Sequence, residues 1–346
     1  METVWFVLVA LMIAGYVILD GFDLGAGIVH FGAARTEAER RQVLQSIGPV
    51  WDGNEVWLLA GGGTLYMAFP VLYAASFSGF YLPLMMVLWL LILRGIAIEF
   101  RSHVEGPVWG PLWDAVFCGS SILLAIFFGA ALGNVVRGVP LDASGRFFLP
   151  LWTNFGATGE VGILDWYTIS VGVLAFLTLT QHGALWVALK TDDPVRGRAR
   201  RIAGFAWIGV AVMTLVVTHF TMQVQPLVRE KLHSELGIWI FPLLALAGLA
   251  GVAWFRFKRR ELAAFLSSSV FIAGMLCSAA FGLYPYVLPS NVDPQFSLSI
   301  HNASAGPHGL SVGMMWWLPG MLIALGYIAF VYRRFGGKVS MGESRH

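Results

Sequence analysis

The chain has 346 residues, of which 57% are hydrophobic and only 12% are charged, so it is not an ordinary soluble domain, in which about a quarter of the residues are charged. Twenty-two Lys and Arg against twenty Asp and Glu leave a net charge of +2, which excludes the strongly basic surface of a protein that binds nucleic acid. Two cysteines in apolar runs, without C-x-x-C spacing, provide neither a zinc site nor a disulfide framework. The composition indicates a membrane protein that is surrounded by lipid.

Long apolar stretches predict an all-α polytopic membrane fold with about nine transmembrane helices. A spanning helix needs roughly 20 mostly apolar residues. The stretches are too long and unbroken for the strands of a membrane barrel, so we expect no strands. In chain order, the predicted spans cover residues 4–29, 54–77, 79–99, 114–136, 165–189, 203–224, 237–256, 262–287 and 311–333.

The distribution of Lys and Arg predicts how the chain is oriented. Seventeen of them lie on one side of the predicted spans and four on the other. The 190–201 loop alone carries five, whereas the 288–310 segment carries none. Because the positive side of a membrane protein faces the cytoplasm, we expect the N-terminus outside and the C-terminus in the cytoplasm.

A short internal repeat divides the chain. Arg-Thr-Glu at 35–37 and Lys-Thr-Asp at 190–192 are each followed by arginines, at a shift of 155 residues. Weak internal symmetry is common in membrane proteins that are built from repeats. We therefore expect two pseudo-repeated four-helix halves, 1–136 and 137–287, followed by a segment, 288–346, with an outer loop, a peripheral ninth helix and a cytoplasmic tail.

The first predicted span contains two acids, Asp20 and Asp23, which share one helix face. Each costs roughly 2.5–3.5 kcal/mol at a helix centre, so a functional role is the default hypothesis. A rise of 1.5 Å per residue places them roughly 24 and 28 Å from the outer end, in the cytoplasmic half. The alternative is a pair of hydrated acids at the helix end. Gly21 and Gly25 form a G-x-x-x-G pattern that lets another helix approach closely.

The second span opens with Trp51, Asp52, Asn54, Glu55 and Trp57 at the cytoplasmic interface. Indoles favour that boundary. Asp52 can be explained in two ways, because an Asp at this place can cap the helix N-terminus or can take up and release protons. Both interpretations stay open from the sequence.

The third span ends with Arg94, Glu99 and His103. Glu99 and His103 are four residues apart and share a face if the helix continues, so they can pass a proton between water and a buried chain. The alternative is an ordinary surface pair. Arg94 lies deeper and is always charged, so it needs a partner such as Asp20, Asp23 or a bound polar head group.

Two histidines, His182 and His219, fall inside predicted spans. One histidine on each of two helices can hold a haem iron. His182 belongs to the cytoplasmic half and His219 lies near the outer end, so we expect neither a haem nor another metal site in this chain. His182 is expected to hydrogen-bond within the bundle, with metal binding as the alternative.

These segments resemble subunit II of the cytochrome bd-type quinol oxidases, the smaller membrane partner of the haem-bearing subunit. The likeness covers essentially the whole chain, and its first four motifs together are specific. The matching motifs are LDGFDLGAG at 19–27, WDGNEVW at 51–57, FSGFY at 77–81, RGIAIEFR at 94–101, HGA at 182–184 and YPYVLPS at 284–290.

The resemblance implies a nine-helix subunit of an electrogenic terminal oxidase in the bacterial cytoplasmic (inner) membrane. Such a complex couples the oxidation of ubiquinol or menaquinol to the reduction of O2 to water. Haems b and d and the quinol-oxidising loop are then expected on the partner, subunit I, with which this chain would form a heterodimer. The resemblance also allows a structural quinone in this chain and a small single-helix accessory subunit.

The resemblance places the proton path from the cytoplasm on Asp52 and Glu99. A basic residue four positions after Glu99 is Lys in some members and His103 here, and an imidazole relays protons well near pH 7. Asp20 and Asp23 join this path from their place in the membrane. The residues expected to support the structure, or to contact a quinone or the partner, are Arg94, Trp51, Asn54, Trp57 and His182. No catalytic residue is expected in this chain.

Two other functions remain open. A proton-coupled secondary transporter would also use acids within the membrane, a helical repeat and many glycines. However, the candidate groups cluster toward the cytoplasmic side, which favours a half-channel to a buried reaction centre over alternating access. A purely structural scaffold for the haem subunit is the other alternative.

Overall fold

The computed structural model describes residues 1–104 and 106–339. Glu105 and the last seven residues of the predicted 288–346 segment lie outside this part of the chain. The predicted all-helical membrane architecture is confirmed. The helices are α1 Glu2–Ala33, α2 Glu37–Ile47, α3 Trp51–Ala68, α4 Pro70–Gly79, α5 Tyr81–Phe100, α6 Trp109–Arg137, α7 Trp166–Lys190, α8 Val195–Val224, α9 Pro226–Ser234, α10 Ile240–Phe257, α11 Glu261–Leu283 and α12 Pro307–Arg334.

Eight helices in the described residues are long and apolar enough to cross a membrane. These are α1, α5, α6, α7, α8, α10 with the 3-10 turn that precedes it, α11 and α12. The predicted second span, 54–77, is not a single helix, and the α3–α4 pair occupies its place.

The break between α3 and α4 falls at Phe69 and Pro70. Proline lacks a backbone N–H and disfavours a helical conformation in the residue before it. Phe69 accordingly has φ −132° and ψ 64°, and Pro70 occupies the first turn of α4, where its missing donor costs nothing. The sequence therefore contained the signal for this break.

Three other elements differ from the prediction. The segment after α1, expected to be a loop, contains α2, whose N-terminus is held by a reciprocal capping box between Thr36 and Glu39. The short helix α9 was likewise expected to be loop. The expectation of no strands was wrong for the 284–306 region, where Tyr286–Leu288 pairs antiparallel with Leu298–Ser299.

The helices alternate between two ends of the bundle. We call the end formed by 34–50, 191–194, 258–260 and 335–339 the tail end, and the opposite end, with the 138–165 loop and the small sheet, the loop end. At the tail end, the Gln42 side chain donates to the Val339 carbonyl (2.8 Å), so the segment after α12 lies against α2.

Helix α1 is central to the bundle and packs against α3, α6, α7, α8 and α11. Its contact with α7 is the closest approach: a Cβ on Gly25 would overlap the α7 backbone at Leu179 and Gly183, and a Cβ on Gly183 would overlap Gly25. Gly25 therefore gives direct backbone contact between α1 and α7, as the pattern predicts, while Gly21 faces the side chains of Leu179 and His182. In contrast, α12 packs mainly against α3, and none of its most apolar stretch is buried.

Candidate functional site

A buried ionic cluster lies where α1, α3 and α5 meet. Arg94 Nη1 is 2.7 Å from Asp20 Oδ1, and both side chains are fully buried. On its other side, Arg94 Nη2 donates to Glu55 Oε2 (3.1 Å), and the Glu55 side chain is 25% exposed. Of the three partners considered for Arg94, the structure thus selects Asp20, and Glu55 connects this pair to the surface.

Asp23 lies one turn further along α1 and belongs to a separate hydrogen-bonded chain. Asn54 Nδ2 donates to Asp23 Oδ2 (2.7 Å), and the Tyr332 hydroxyl of α12 donates to Asn54 Oδ1 (2.9 Å). Asp23 and Asn54 are buried. We call Asp20, Asp23, Glu55 and Arg94 the acid cluster: Arg94 contacts the carboxyl groups of Asp20 and Glu55, and Asp23 lies one turn away on α1.

Small residues allow the helices that carry these groups to approach one another. The ring of Trp57 packs against Gly15 of α1, and the ring of Trp51 packs against Gly95 of α5. Both indoles therefore lie between helices and set the spacing of the acid cluster. This observation leaves their predicted quinone or partner contacts untested.

Several polar atoms of the acid cluster are buried without a hydrogen-bond partner among the described residues. They include Tyr16 Oη, Asp20 Oδ2, Asp23 Oδ1 and Arg94 Nε. Buried polar groups in proteins are normally satisfied by protein atoms or by ordered water. These atoms are therefore positioned to accept or donate hydrogen bonds to water inside the bundle.

Asp52 is exposed at the start of α3. The helix begins at Trp51, so Asp52 is its second residue and Val50 is at the N-cap position, with no side-chain capping bond. The interpretation of Asp52 as a helix cap was wrong, because that role requires the residue just outside the helix, with its extended backbone. Its carboxylate instead lies one turn before Glu55 on the same helix.

Glu99 and His103 are both exposed at the tail end. Helix α5 ends at Phe100, so the helix does not continue to His103. His103 Nδ1 lies 2.8 Å from the backbone carbonyl oxygen of Glu99 and not from its carboxylate. The structure brings the two residues close together, but not as the predicted side-chain pair.

A second buried network, which sequence reasoning missed, lies at the tail end between α1, α2 and α6. Asp114 Oδ1 is 2.7 Å from His30 Nε2 and accepts from Arg101 Nε at 2.5 Å, and all three residues are buried. Arg101 also donates to both oxygens of Glu37 (3.1 and 2.8 Å). His30 and Asp114 are 84 positions apart, so no local sequence pattern predicts their contact.

Two carboxyl groups of α2 are held ionised by arginines. Burial raises the pKa of Glu37, but hydrogen bonds from Arg101 and Arg41 outweigh it, so the pKa is lowered from its usual value. Hydrogen bonds from Arg198 lower the pKa of Glu39 to about 2. These pairs tie α2 to α5 and α8.

A third buried arginine, Arg137, lies at the loop end. It donates to the Gly162 carbonyl (3.0 Å) and to Asn134 Oδ1 (2.7 Å), and it forms an ion pair with Asp165. Asp165 also accepts from the backbone N–H groups of Tyr167 and Thr168 and so caps α7. We call Arg137, Asn134 and Asp165 the loop latch, since they hold the 138–165 loop on the helix ends.

The histidines inside the spans have protein partners. Both ring nitrogens of His182 lie 3.0 Å from acceptor or donor oxygens, the Ile18 carbonyl and Ser268 Oγ. The Nε2 atom of His219 lies 3.0 Å from Gln223 Nε2. The described residues contain no group of three or more His, Cys, Asp and Glu arranged to hold a metal ion.

Comparison with known proteins gives consistent results. The family model described as "Cytochrome bd terminal oxidase subunit II" matches residues 1–335. The chain is 32% identical to "Probable cytochrome oxidase subunit 2" of Haemophilus influenzae and 31% identical to "Cytochrome bd-I ubiquinol oxidase subunit 2" of Escherichia coli K12, each over 97% of this chain and 94% of the relative. It is 30% identical to "Cytochrome bd ubiquinol oxidase subunit 2" of Bacillus subtilis, over 99% and 98%.

The fold is similar to that of a solved protein. "The structure of bd oxidase from Geobacillus thermodenitrificans" matches with a TM-score of 0.77, covering 96% of this chain and 98% of that chain. The sequence identity is 16%, so this match supports the fold alone.

Proposed function

The chain belongs to the family of cytochrome bd terminal oxidase subunit II, and on that premise we propose that it supports a haem-bearing subunit I and supplies that subunit with protons. As a member of this family, it is a subunit of a quinol oxidase. The complex couples quinol oxidation to the reduction of O2 to water, and this reduction consumes protons. One observation carries the proposal: carboxyl groups extend from the exposed end of α3 to the buried pair of Arg94 and Asp20.

The proposed path starts at Asp52. One turn further along α3 lies Glu55, which is partly exposed and contacts Arg94. Arg94 in turn contacts Asp20, which has no exposed surface. Protons do not cross hydrocarbon unaided, and a series of carboxyl groups with unpartnered oxygens lets water complete such a route.

Glu99 and His103 provide a second point of entry in this proposal. They lie at the exposed end of α5, the helix that carries Arg94. With Nδ1 held near the Glu99 carbonyl oxygen, the exposed imidazole keeps Nε2 available for exchange with solvent. An imidazole can act as a general acid or base and so suits this role.

The haems b and d belong to subunit I in this proposal. In support, the ring nitrogens of His182 are engaged by Ile18 and Ser268, and the His30 ring is held by Asp114. Ubiquinol or menaquinol is the proposed substrate. A structural quinone in this chain and a single-helix accessory subunit stay predictions from the resemblance.

We place the tail end in the cytoplasm of a bacterium and the N-terminus outside the inner membrane. The excess of Lys and Arg at the tail end supports this orientation. Single cysteines at positions 193 and 304, in a chain without Cys118 and Cys277, test it by labelling from each side. We expect Asp193→Cys to react from the cytoplasm and Ser304→Cys from outside, and the reverse result would overturn the orientation.

Asp52→Asn in the purified complex tests the proton path. The change removes the titratable group at an exposed position that caps nothing, so folding should be unaffected. We expect O2 consumption to fall by about 100-fold, the low end of what a proton-transfer group contributes, while the visible haem spectrum is preserved. Asp192→Asn, a partly exposed acid at the same end but outside the acid cluster, is the matched control.

Near-normal activity of Asp52→Asn, with haems intact, would contradict the role of Asp52 and favour a purely structural subunit. The ion pair between Asp20 and Arg94 is the observation that favours this alternative, because a carboxylate whose charge is neutralised by a permanent cation can serve packing alone. A haem-containing partner that co-purifies with the chain would exclude the secondary transporter.

A further inference from the structure

A small cleft lies at the tail end between α7, α8, α10 and α11. Its volume is about 60 Å³, and its walls combine apolar and basic side chains. Leu185, Ala188, Phe255 and Ala264 contribute the apolar wall, and four arginines contribute the rim. These arginines are Arg200, Arg256, Arg259 and Arg260.

The charge of this cleft is poorly balanced within the chain. Arg200 forms an ion pair with Glu261, but Arg256, Arg259 and Arg260 have no carboxylate partner among the described residues. Four arginines and one glutamate leave a local charge of +3. The tail-end residues Arg101 and Arg198, in contrast, are neutralised by Asp114 and Glu39.

Two features of the backbone bring these arginines together: Gly204 leaves room for Arg256, and Arg259 adopts a left-handed conformation. The Arg256 guanidinium lies directly over Gly204 of α8, where a Cβ would overlap it, and its Nη2 donates to the Arg200 carbonyl (3.4 Å). Arg259, in the turn between α10 and α11, adopts a left-handed conformation with φ +56°. A non-glycine residue in this region is strained, and such strain is concentrated at binding and functional sites.

Exposed apolar side chains surround the basic rim. Trp254 is 60% exposed, Phe257 82% and Leu262 56%. Lys258 lies over the Trp254 ring, 5.2 Å from its centroid. Aromatic rings together with Lys and Arg at the end of membrane helices are typical of the level of the lipid head groups.

We propose that this cleft binds the phosphate of an anionic phospholipid, with the acyl chains of that lipid lying along Trp254, Phe257 and Leu262. A phosphodiester provides the negative charge that three arginines lack within the chain, and guanidinium groups bind phosphate oxygens in bidentate fashion. Basic pockets between membrane helices recognise anionic head groups in this way. A lipid without a compensating amine, such as phosphatidylglycerol, fits the net charge.

The test measures lipid bound to the intact complex by native mass spectrometry. The complex is reconstituted in phosphatidylcholine that contains phosphatidylglycerol. Replacing two arginines in Arg256→Gln/Arg260→Gln should weaken phosphatidylglycerol binding about 30-fold, equivalent to about 2 kcal/mol at ~1.4 kcal/mol per tenfold change. The double variant Arg333→Gln/Arg334→Gln removes the same charge from the tail end of α12 and should change binding about threefold or less.

Equal losses in the two double variants would overturn the proposal in favour of a diffuse surface charge. Unchanged binding in Arg256→Gln/Arg260→Gln would also overturn it. Displacement of phosphatidylglycerol by inorganic phosphate at similar concentration would show a site for free anions and not for lipid. If the glutamine variant fails to assemble, the single variant Arg260→Gln replaces it and should weaken phosphatidylglycerol binding more than Arg334→Gln does. Equal losses in these two assembled complexes would equally overturn the proposal.

Discussion

Arg94 and Arg137 are both buried arginines paired with an aspartate, yet their surroundings differ. In the loop latch, Arg137 is shared among a carboxylate, an amide and two backbone carbonyls, and Asp165 is itself bonded to the α7 N-terminus. In the acid cluster, Arg94 serves two carboxyl groups with a third nearby, and several polar atoms there lack partners. A fully bonded cluster fixes a loop, whereas a cluster with spare acceptors can exchange protons with water.

The largest effect is expected at the loop latch. Arg137→Gln leaves Asp165 as a buried, unpaired charge and should destabilise the folded chain by about 3–5 kcal/mol. Thermal unfolding and yield of the purified complex measure this effect. Arg146→Gln, an exposed arginine of the same loop, is the control, and equal stability of the two variants would show that the latch is dispensable.

At the acid cluster, the effect should appear in turnover more than in stability. Asp20→Asn keeps the shape of the side chain and leaves Arg94 paired with Glu55, so the complex should assemble with its haem spectrum intact. We expect O2 consumption to fall by about 100-fold, since a titratable group on the path is lost. If turnover stayed normal while stability fell, the two arginine clusters would have the same structural role.

Asn54→Leu distinguishes Asp23 from Asp20. It removes the amide that donates to Asp23 and accepts from Tyr332, so an unpartnered carboxyl should cost about 1–3 kcal/mol. Tyr332→Phe removes only the outer hydrogen bond and should cost about 1 kcal/mol. If thermal unfolding showed the same loss of stability in Asn54→Leu and Tyr332→Phe, the hydrogen-bonded series from Tyr332 through Asn54 to Asp23 would be contradicted.

The smallest effect concerns the pH dependence of α2 docking. Because Arg198 lowers the pKa of Glu39 to about 2 from 4.5, their pair stabilises the fold above the unfolded value and loses this stabilisation as the pH falls toward 2. Glu39→Gln should therefore reduce the acid sensitivity of the unfolding temperature below about pH 4.5. Glu160→Gln, an acid of the loop end, should leave the curve unchanged.

Much of the fold could be predicted because apolar length determines where helices form. The need of Arg94 for a countercharge was also predictable, since its charge is permanent. The sequence left Asp20, Asp23 and a bound head group open as partners, and the structure selects Asp20. The break at Phe69 was missed although Pro70 marks it, because hydropathy alone does not register backbone restrictions. Nothing local relates His30 to Asp114, since only the packing of α1 on α6 brings them together.

Asp52 shows that residue spacing alone does not decide whether an aspartate caps a helix. Whether an aspartate caps a helix depends on a shift of one or two residues in the helix start, which a pattern of residue types does not fix. Glu55 was part of the recognised motif but was not selected as a site residue. Its three-residue spacing from Asp52 was the available signal, because residues three apart share a helix face.

The contact of Gly25 with Gly183 has a mechanical consequence. No side chain separates the two backbones at this crossing, so α1 and α7 are in direct contact. Neither helix can therefore slide or rotate there unless the other moves with it. If the predicted halves are correct, this crossing joins one to the other near the acid cluster. A transporter whose two halves rock against each other needs a hinge at that place. A subunit that conducts protons through side chains and water needs a rigid contact there.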